Sequence, residues 1–423
     1  MMTMTPARAR FIVTSVLIVA AIGFASNRGA AHKAITSKYT YNDDVFPIFR
    51  DRCSRCHVAG GVAPMSLMTY DEAFPWAESI RAELVAAHMP PWNADESFGD
   101  LKRAHTLSPK ELDVILTWAT GGNPRGALDQ KLPTVTLKND WTMGKPDLAL
   151  AIPSEFTLVA DKMEDTQEFT IATGTGEARW VRAVDLLPGT PSIVRSAIVY
   201  VKGSSAGGTS ASGGVGSSPT KPSSPAPEHV LARWLPGQDP DSIDTGLAFR
   251  LPARAELGVR IHYKKTWQLE GKPIADRSTV GIYFASAQAA QELLTLPIAS
   301  AKPAQAADRT ITFSQPIEQD VQALAVTPDQ VPPNITLQVE AVRPDGSRAP
   351  MIRLNTRADW GRRYWFAQPV ALPRGSRVEV TANLQDPDLM STAFSSGAVR
   401  STSPTPLRLI LNIVPAVRKP AAP

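Results

Sequence analysis

Cysteine is almost absent from this chain, and so are long apolar runs beyond its N-terminus. Only 2 of the 423 residues are cysteines, which excludes a framework of several disulfides. After residue 25 no apolar run is long enough to cross a membrane. The net charge of +4 comes without any dense cluster of Lys and Arg, so we expect no nucleic-acid partner.

Several motifs of common active sites are missing as well. The chain has no Gly-rich phosphate loop, no G-x-S-x-G nucleophile motif and no H-E-x-x-H zinc motif. Histidine is scarce, with 6 in total and only His229 and His262 beyond residue 140. We therefore do not expect a Ser–His–Asp centre in the C-terminal region.

The N-terminus has the organisation of an export signal. Two arginines in "MMTMTPARAR" precede the apolar run 11–25, and small residues follow it. This pattern predicts a signal peptide over residues 1–31, with cleavage near Ala25 or Ala31. The alternative is an uncleaved anchor, although the run is shorter than the roughly 20 residues of a membrane span. We expect a protein of the periplasm or the cell exterior, without a membrane span after cleavage.

Both cysteines lie in the sequence "CSRCH", formed by Cys53, Cys56 and the adjacent His57. C-x-x-C-H is the signature of c-type haem attachment, in which each thiol adds to one vinyl group. His57 would then lie under the iron as its proximal ligand. A thioredoxin-like redox pair needs no such histidine, a zinc site needs a second Cys/His pair, and a disulfide across two residues would be strained. The predicted cofactor is one haem c per chain.

The second axial ligand of the iron must come from elsewhere in the chain. Met89 in "AAHMPPWNA" is the best candidate, because two prolines stiffen the loop behind it. A thioether ligand raises the haem potential relative to a second histidine. The rival ligands are His88 and His105. Two other methionines, Met65 and Met68, fit core packing better.

Three helices are predicted around this motif. The first covers "TYNDDVFPIFRDRC", with Asn42 as its N-cap, and the second covers residues 70–88. The third follows Ser108, which forms a capping box with Glu111. Three or four helices in about 90 residues are the size of a small cytochrome c domain.

Residues 40–126 resemble a family of exported bacterial c-type cytochrome domains. The resemblance is carried by "RCSRCHVAGGVAPMSLMTYDEAFPWAESIRAELVAAHMPPW" and "LSPKELDVILTWATGGNPRG". It implies an all-α cytochrome c domain, which we place at residues 38–127. Such a domain often precedes a second module.

From residue 140 onward short apolar runs alternate with turns rich in Pro, Gly and Asp. Examples are "RWVRAVDLLPG", "SIVRSAIVYV", "ELGVRIHY", "NITLQVEAVRPDGS" and "LRLILNIVP". This spacing predicts two all-β sandwiches, over residues 140–286 and 287–417. Residues 202–227 are rich in Gly and Ser, and we expect a disordered insert within the first sandwich.

The β region resembles the copper type II, ascorbate-dependent monooxygenases, such as the peptidylglycine hydroxylases. The match lies in "WTMGKPDLAL", "RWVRAVDLLPG", "IVRSAIVYV" and "WLPGQDP…DTGLAFRLPARAELGVRIHY", and continues through "TPDQVPPNITLQVEAVRPDGSRAP". The resemblance implies two tandem jelly-roll domains. It also implies one copper held by three histidines and a second held by a His-x-His pair and a methionine.

Most of those ligands are missing from this chain. The positions that correspond to the family's five histidines are Arg195, Ser196, His262, Asp329 and Val331. The family's late methionine has no clear counterpart, Met390 being the nearest candidate. Since type II copper prefers imidazole, we leave copper out of the expected cofactors and regard His262 as a relic of a ligand or a packed core residue.

The sequence thus favours single-electron transfer through a covalently bound haem, with a soluble redox protein of the periplasm as partner. The β region would be a degenerate monooxygenase scaffold that serves as a docking module. The alternatives are a copper monooxygenase fed by the haem, and a binding module without turnover. Trp360 and Trp365, near Arg362 and Arg363, form either a binding face or, as we prefer, a stacked packing contact.

Overall fold

A computed structural model of the chain has a small helical part followed by an extensive β region. It describes residues 36–102, 106–203, 226, 229–241, 243, 246–285, 291–303, 309–357, 361–384 and 406–416. Within these residues strands greatly outnumber helices. The predicted signal segment and most of the predicted insert lie outside the described residues.

The first helical segment, α1, covers residues 41–53. It consists of a π turn, an α turn and a second π turn: Tyr41–Val45, Phe46–Ile48 and Phe49–Cys53. Thr40 is its N-cap, since the Thr40 side chain accepts a hydrogen bond from the amide of Asp43. The prediction of Asn42 as N-cap is therefore wrong. Asn42 is buried instead, and its amide donates to the carbonyl of Ala127 at 2.9 Å.

The second helical segment, α2, starts after the N-cap Thr69. It is built from Tyr70–Ala73, Phe74–Trp76 and Ala77–Val85. The third helix, α3, is Pro109–Thr120. Ser108 and Glu111 form the predicted capping box there, each side chain bonding the other's backbone N–H. A short 3₁₀ turn, Trp267–Leu269, lies in the β region.

The helices enclose an aromatic core around Trp118, whose side chain has no exposed surface. The Trp118 ring centroid is 6.1 Å from that of Tyr41 and 6.4 Å from that of Phe49. Residues after α3 also pack on this core, among them Leu132 and Val135. The core fixes the C-terminal end of α1, where the cysteine motif begins.

The first β unit consists of two sheets and a short strand pair. Its strands β1 to β11 are Leu148–Ala151, Phe156–Leu158, Glu164–Ala172, Arg179–Leu187, Val194–Val201, Val230–Trp234, Leu247–Leu251, Glu256–Lys264, Ile274–Asp276, Thr279–Phe284 and Gln291–Glu292. One sheet has the order β1-β10-β4-β7-β11, the other β3-β8-β5-β6, and β2 pairs with β9. Valines of both sheets, such as Val181 and Val259, share one buried core, so the sheets form a sandwich.

The second β unit is also a sandwich. Its strands β12 to β19 are Leu294–Pro303, Thr310–Pro316, Val321–Gln330, Thr336–Val342, Arg348–Asn355, Tyr364–Leu372, Arg377–Asn383 and Pro406–Pro415. They form two four-stranded sheets, β12-β19-β14-β17 and β13-β18-β15-β16. Leu411 of one sheet and Val339 of the other lie in the same buried cluster.

Both sandwiches are jelly-roll-like. In the second unit the eight strands, counted from β12, follow the orders 1-8-3-6 and 2-7-4-5. The first unit repeats these orders if β2, β9 and β11 are set aside as additions. This interleaving of early and late strands is the double Greek key of a jelly roll.

The two strands that flank the predicted insert pair with each other. β5 and β6 are antiparallel neighbours, with Ala197 opposite Trp234 and Val199 opposite Ala232. The low-complexity segment therefore connects two strands of one sheet.

None of the helices in the described ranges has the length and apolar character needed to span a bilayer.

A buried carboxylate in the first sandwich should make stability depend on pH. Burial raises the pKa of Asp185 to about 6, and hydrogen bonds from the Leu186 amide and from Thr142 oppose the rise only in part. The folded state thus favours the protonated acid. Stability from this group is present at pH values below the unfolded pKa of about 4 and is lost as the pH rises through 6.

We therefore expect the free energy of unfolding of the native chain to fall by about 2 to 3 kcal/mol relative to Asp185→Asn between pH 4 and pH 7. Urea denaturation of both proteins at several pH values in this range measures the difference. If the free energies of unfolding of the two proteins changed in parallel with pH, ionisation of Asp185 would not destabilise the folded protein, and the prediction would be wrong.

Candidate functional site

The "CSRCH" residues form a compact turn at the end of α1. The amide of Cys56 donates to the Cys53 carbonyl at 3.1 Å, and the amide of His57 donates to the same carbonyl at 2.8 Å. Both cysteines belong to the described residues, and both are half-buried free thiols. The turn thus brings two thiols and an imidazole together within five residues.

Among the described residues, His57 is hydrogen-bonded through its Nδ1. Its Nδ1 lies 3.2 Å from the carbonyl oxygen of Met65, and a carbonyl can only accept, so Nδ1 carries the proton. Burial lowers the pKa of His57, against the smaller effect of the Met65 hydrogen bond. A neutral imidazole with Nδ1–H bound to a carbonyl presents the Nε2 lone pair, which is the usual arrangement of a histidine that ligates a metal.

The thiols are in the protonated state at neutral pH. Burial raises the pKa of Cys53 to about 12 and that of Cys56 to about 11. The positive charges of Arg195 and Arg55 oppose the shift at Cys56. Redox-active C-x-x-C pairs have a thiol with a lowered pKa, so this environment does not favour the thioredoxin-like alternative.

The first sandwich covers the Cys56 side of the turn. The Cys56 Sγ lies 3.8 Å from the Pro236 carbonyl oxygen. A Cβ atom on Gly237 would approach Sγ to 2.8 Å, so this close contact requires glycine. The Arg55 guanidinium adds an ion pair to Asp239 at 2.6 Å.

Arg195 of strand β5 reaches the same loop. Its guanidinium donates to the carbonyl of Val62 and, at 3.1 Å, to the carbonyl of Lys264. Arg195 stands at a position where the resemblance to copper monooxygenases places a histidine. In this chain that position connects the first sandwich to the residues that follow the cysteine motif.

Met89 follows the end of α2 along the chain. It is half-buried, and its amide points to the Glu83 carbonyl at 3.3 Å. His88, the rival ligand, has its Nδ1 3.0 Å from the Glu83 carboxylate. Met68 is buried and Met65 packs on the helical core, as expected of core residues. His105 lies outside the described residues.

Residues 92–102 form an edge of the second sandwich, which sequence reasoning missed. Ala94 makes a bridge to Leu354 of β16, and Leu101 makes one to Phe366 of β17. Ala94 and Leu101 are buried in the core of that sandwich. Ala94 and Leu101 are isolated apolar residues in a polar loop, which is a weak sign that they are buried. The sequence does not show which residues they pack against, because those residues lie more than 250 positions further along the chain.

The other described positions assigned to copper by resemblance make different contacts. His262 on β8 is half-buried, opposite Ser196 of β5, with Nε2 3.8 Å from the Glu164 carboxylate. Asp329 is bound by Arg233 and by Arg408, the latter at 2.6 Å. Throughout the described ranges no three His, Cys, Asp or Glu residues are grouped as metal ligands. Met390 lies outside those ranges.

Arg362 and Arg363 pack between aromatic rings and are buried. The Arg363 guanidinium is 5.1 Å from the Phe249 ring centroid and 5.7 Å from that of Trp365. It also forms an ion pair with Asp241 at 3.2 Å. This is a packing contact between the two sandwiches, to which the half-buried Trp365 adds a hydrogen bond from its Nε1 to Asp241 at 2.8 Å. Trp360 lies outside the described residues.

No protein-family model and no curated protein matches the chain. Among solved structures, a tryptophan-to-tyrosine variant of oxalate decarboxylase from Bacillus subtilis is similar at 8% identity, with a TM-score of 0.13 over 74% of this chain and 85% of that chain. A likeness this slight carries no conclusion about activity.

Proposed function

We propose that this chain is an exported electron-transfer protein with one haem c bound covalently to Cys53 and Cys56. The observation that carries the proposal is the state of His57, a neutral imidazole whose Nδ1 is fixed by Met65 beside two free thiols. These residues fit the group: two thiols would anchor it, and His57 Nε2 would bind its iron. The haem, when bound, supplies a one-electron Fe(III)/Fe(II) couple.

The remaining roles follow from this assignment. Met89 is the proposed distal ligand, and a soluble redox protein of the periplasm is the proposed partner. The two jelly-roll-like sandwiches would be a monooxygenase-type scaffold without copper. Arg195 and Asp329 support this proposal, because both stand at positions where the family has a copper-binding histidine. In this chain Arg195 instead binds the Val62 carbonyl, and Asp329 instead pairs with Arg408.

The test is a measurement of covalent haem and metal content. The full chain is produced together with the haem c maturation machinery, loaded with copper and freed of excess metal. We expect one Fe and essentially no Cu per chain, and a protein mass increased by one haem. Cys53→Ser combined with Cys56→Ser should abolish the covalent haem, because both thioether bonds require the thiols.

Ser54→Ala is the matched control, since it changes the same turn and keeps the motif. It should retain the full haem content. Two tightly held Cu per chain, or covalent haem in the double serine variant, would contradict the proposal.

A further inference from the structure

The loop that follows Met89 is built into the second sandwich by backbone hydrogen bonds. The amide of Asp95 donates to the Arg353 carbonyl at 2.8 Å, and the amide of Asn355 donates to the Asn93 carbonyl at 2.9 Å. Farther along, the amide of Lys102 donates to the Trp365 carbonyl at 2.8 Å. Residues 92–102 therefore run along two strands of that sandwich.

Side chains strengthen the attachment at its start, three residues beyond Met89. The Trp92 ring lies edge-on to Tyr364, with centroids 5.5 Å apart, and the Arg362 guanidinium is 5.1 Å from the Trp92 centroid. Arg353 pairs with Asp95 at 3.0 Å and covers the Phe98 ring at 4.3 Å. Apolar, cationic and hydrogen-bonding contacts all come from the second sandwich.

The attachment is also close-packed. Gly99 has a φ of +84°, and a Cβ atom on it would lie 2.0 Å from the carbonyl oxygen of Met351. Backbone oxygen cannot give way as a flexible side chain does, so any larger residue must push the segment away from β16. Gly99 is thus a single position at which the attachment can be weakened without changing the core of either sandwich.

The cysteine turn and the loop of Met89 are attached to different sandwiches. The cysteine turn is covered by Pro236 and Gly237 of the first sandwich, whereas the loop of Met89 is attached to the second. The sandwiches contact each other through Arg233 and Asp329 and through Arg363 and Asp241. These ion pairs connect the sandwich that covers the turn with the sandwich that holds the loop.

We propose that the second sandwich is the positioning element for the distal ligand: residues 92–102, fixed on strands β16 and β17, hold Met89 toward the haem. The inference rests on the proposed function. It gives the C-terminal sandwich a specific task, since a ligand as weak as a thioether depends on a stiff loop to stay bound. Trp92 and Gly99 are positioning residues, and Met89 alone would touch the iron.

Gly99→Ala tests the inference, with Gly346→Ala as the matched control. Gly346 has a φ of +83° and no atom within 4 Å of an added Cβ, so the control carries the same backbone strain without the clash. Both variants are prepared in the full haem-loaded chain. The readouts are the charge-transfer band of methionine-ligated ferric haem and the affinity for imidazole, an external ligand that competes for the distal position.

We expect Gly99→Ala to weaken the charge-transfer band and to bind imidazole at least tenfold more tightly than Gly346→Ala, a difference of about 1.4 kcal/mol. Met89→Ala sets the upper limit of both effects. Trp92→Leu, which removes the stacking but adds no clash, should fall between. Thermal unfolding of each variant identifies any that fails to fold.

Three outcomes separate this inference from the proposed function. If Met89→Ala changes both readouts and the folded Gly99→Ala and Trp92→Leu variants do not, the second sandwich does not position the ligand and the inference is wrong. If Met89→Ala leaves the spectrum unchanged, the ligand assignment fails and the inference with it. A chain without covalent haem overturns the proposed function itself.

Discussion

Replacing Asp329 with alanine is expected to lower the free energy of unfolding by about 3 to 5 kcal/mol. Asp329 is almost inaccessible, with 2% of its side chain exposed, and it pairs with both Arg233 and Arg408. Its removal takes this carboxylate away from two guanidinium groups whose side chains are only 10% and 22% exposed. Because Arg233 belongs to the first sandwich and the other two residues to the second, the loss also falls on the contact between the sandwiches.

The measurement is guanidinium denaturation followed by far-UV circular dichroism. Asp239→Ala is the matched control, since it breaks an arginine–aspartate pair between parts of the chain whose side chains are 39% and 51% exposed. That change should cost about 0 to 1 kcal/mol. Equal losses in the two variants would mean that water reaches Asp329 and compensates the arginines.

Trp118→Ala should destabilise the helical part by about 3 to 5 kcal/mol, because it empties the largest fully buried position of that core. The ring contacts Tyr41 and Phe49, and its Nε1 donates to the Pro124 carbonyl at 3.1 Å. Phe49 lies in the turn that ends at Cys53. The substitution should therefore also destabilise the turn that carries the cysteine motif.

In the haem-loaded chain of the proposed function, haem absorbance would report on the helical part and far-UV circular dichroism on the sandwiches, so the two transitions can be followed separately in one titration. The haem transition of Trp118→Ala should shift to lower denaturant. Trp267→Ala serves as the control, because that side chain is 60% exposed and its loss should stay within about 0.5 kcal/mol. A haem transition that stays in place would contradict the packing described for Trp118.

Local signals made the elements predictable. Ser108 and Glu111 are three residues apart and satisfy each other's backbone, so their capping box is visible in the sequence. The strands were equally clear from apolar runs between turns. The prediction of Asn42 as N-cap was wrong because Thr40, two residues earlier, also has a side-chain oxygen that can cap the helix. The hydrogen bond from the Asn42 side chain to the Ala127 carbonyl joins distant residues, so a local sequence pattern does not reveal it.

Contacts between distant parts of the chain could not be predicted. The sequence shows that Arg195 and Asp329 replace expected ligands, but it does not show that Arg195 reaches Val62 or that Asp329 lies between two arginines. The attachment of residues 92–102 was hidden for the same reason. The bridges of residues 92–102 to β16 and β17 depend on the folded second sandwich, so no local pattern in the loop predicts them.

The cover over Cys56 has a consequence for the order of maturation. The turn from Cys53 to His57 is local and can form as soon as its helix does, whereas the Arg55–Asp239 contact joins residues 184 positions apart and the Arg353–Asp95 contact joins residues 258 apart. Contacts of such separation form late. Pro236 lies against one side of the half-buried Cys56 thiol, so we expect the proposed haem to be attached more readily before the first sandwich closes over the turn than afterwards.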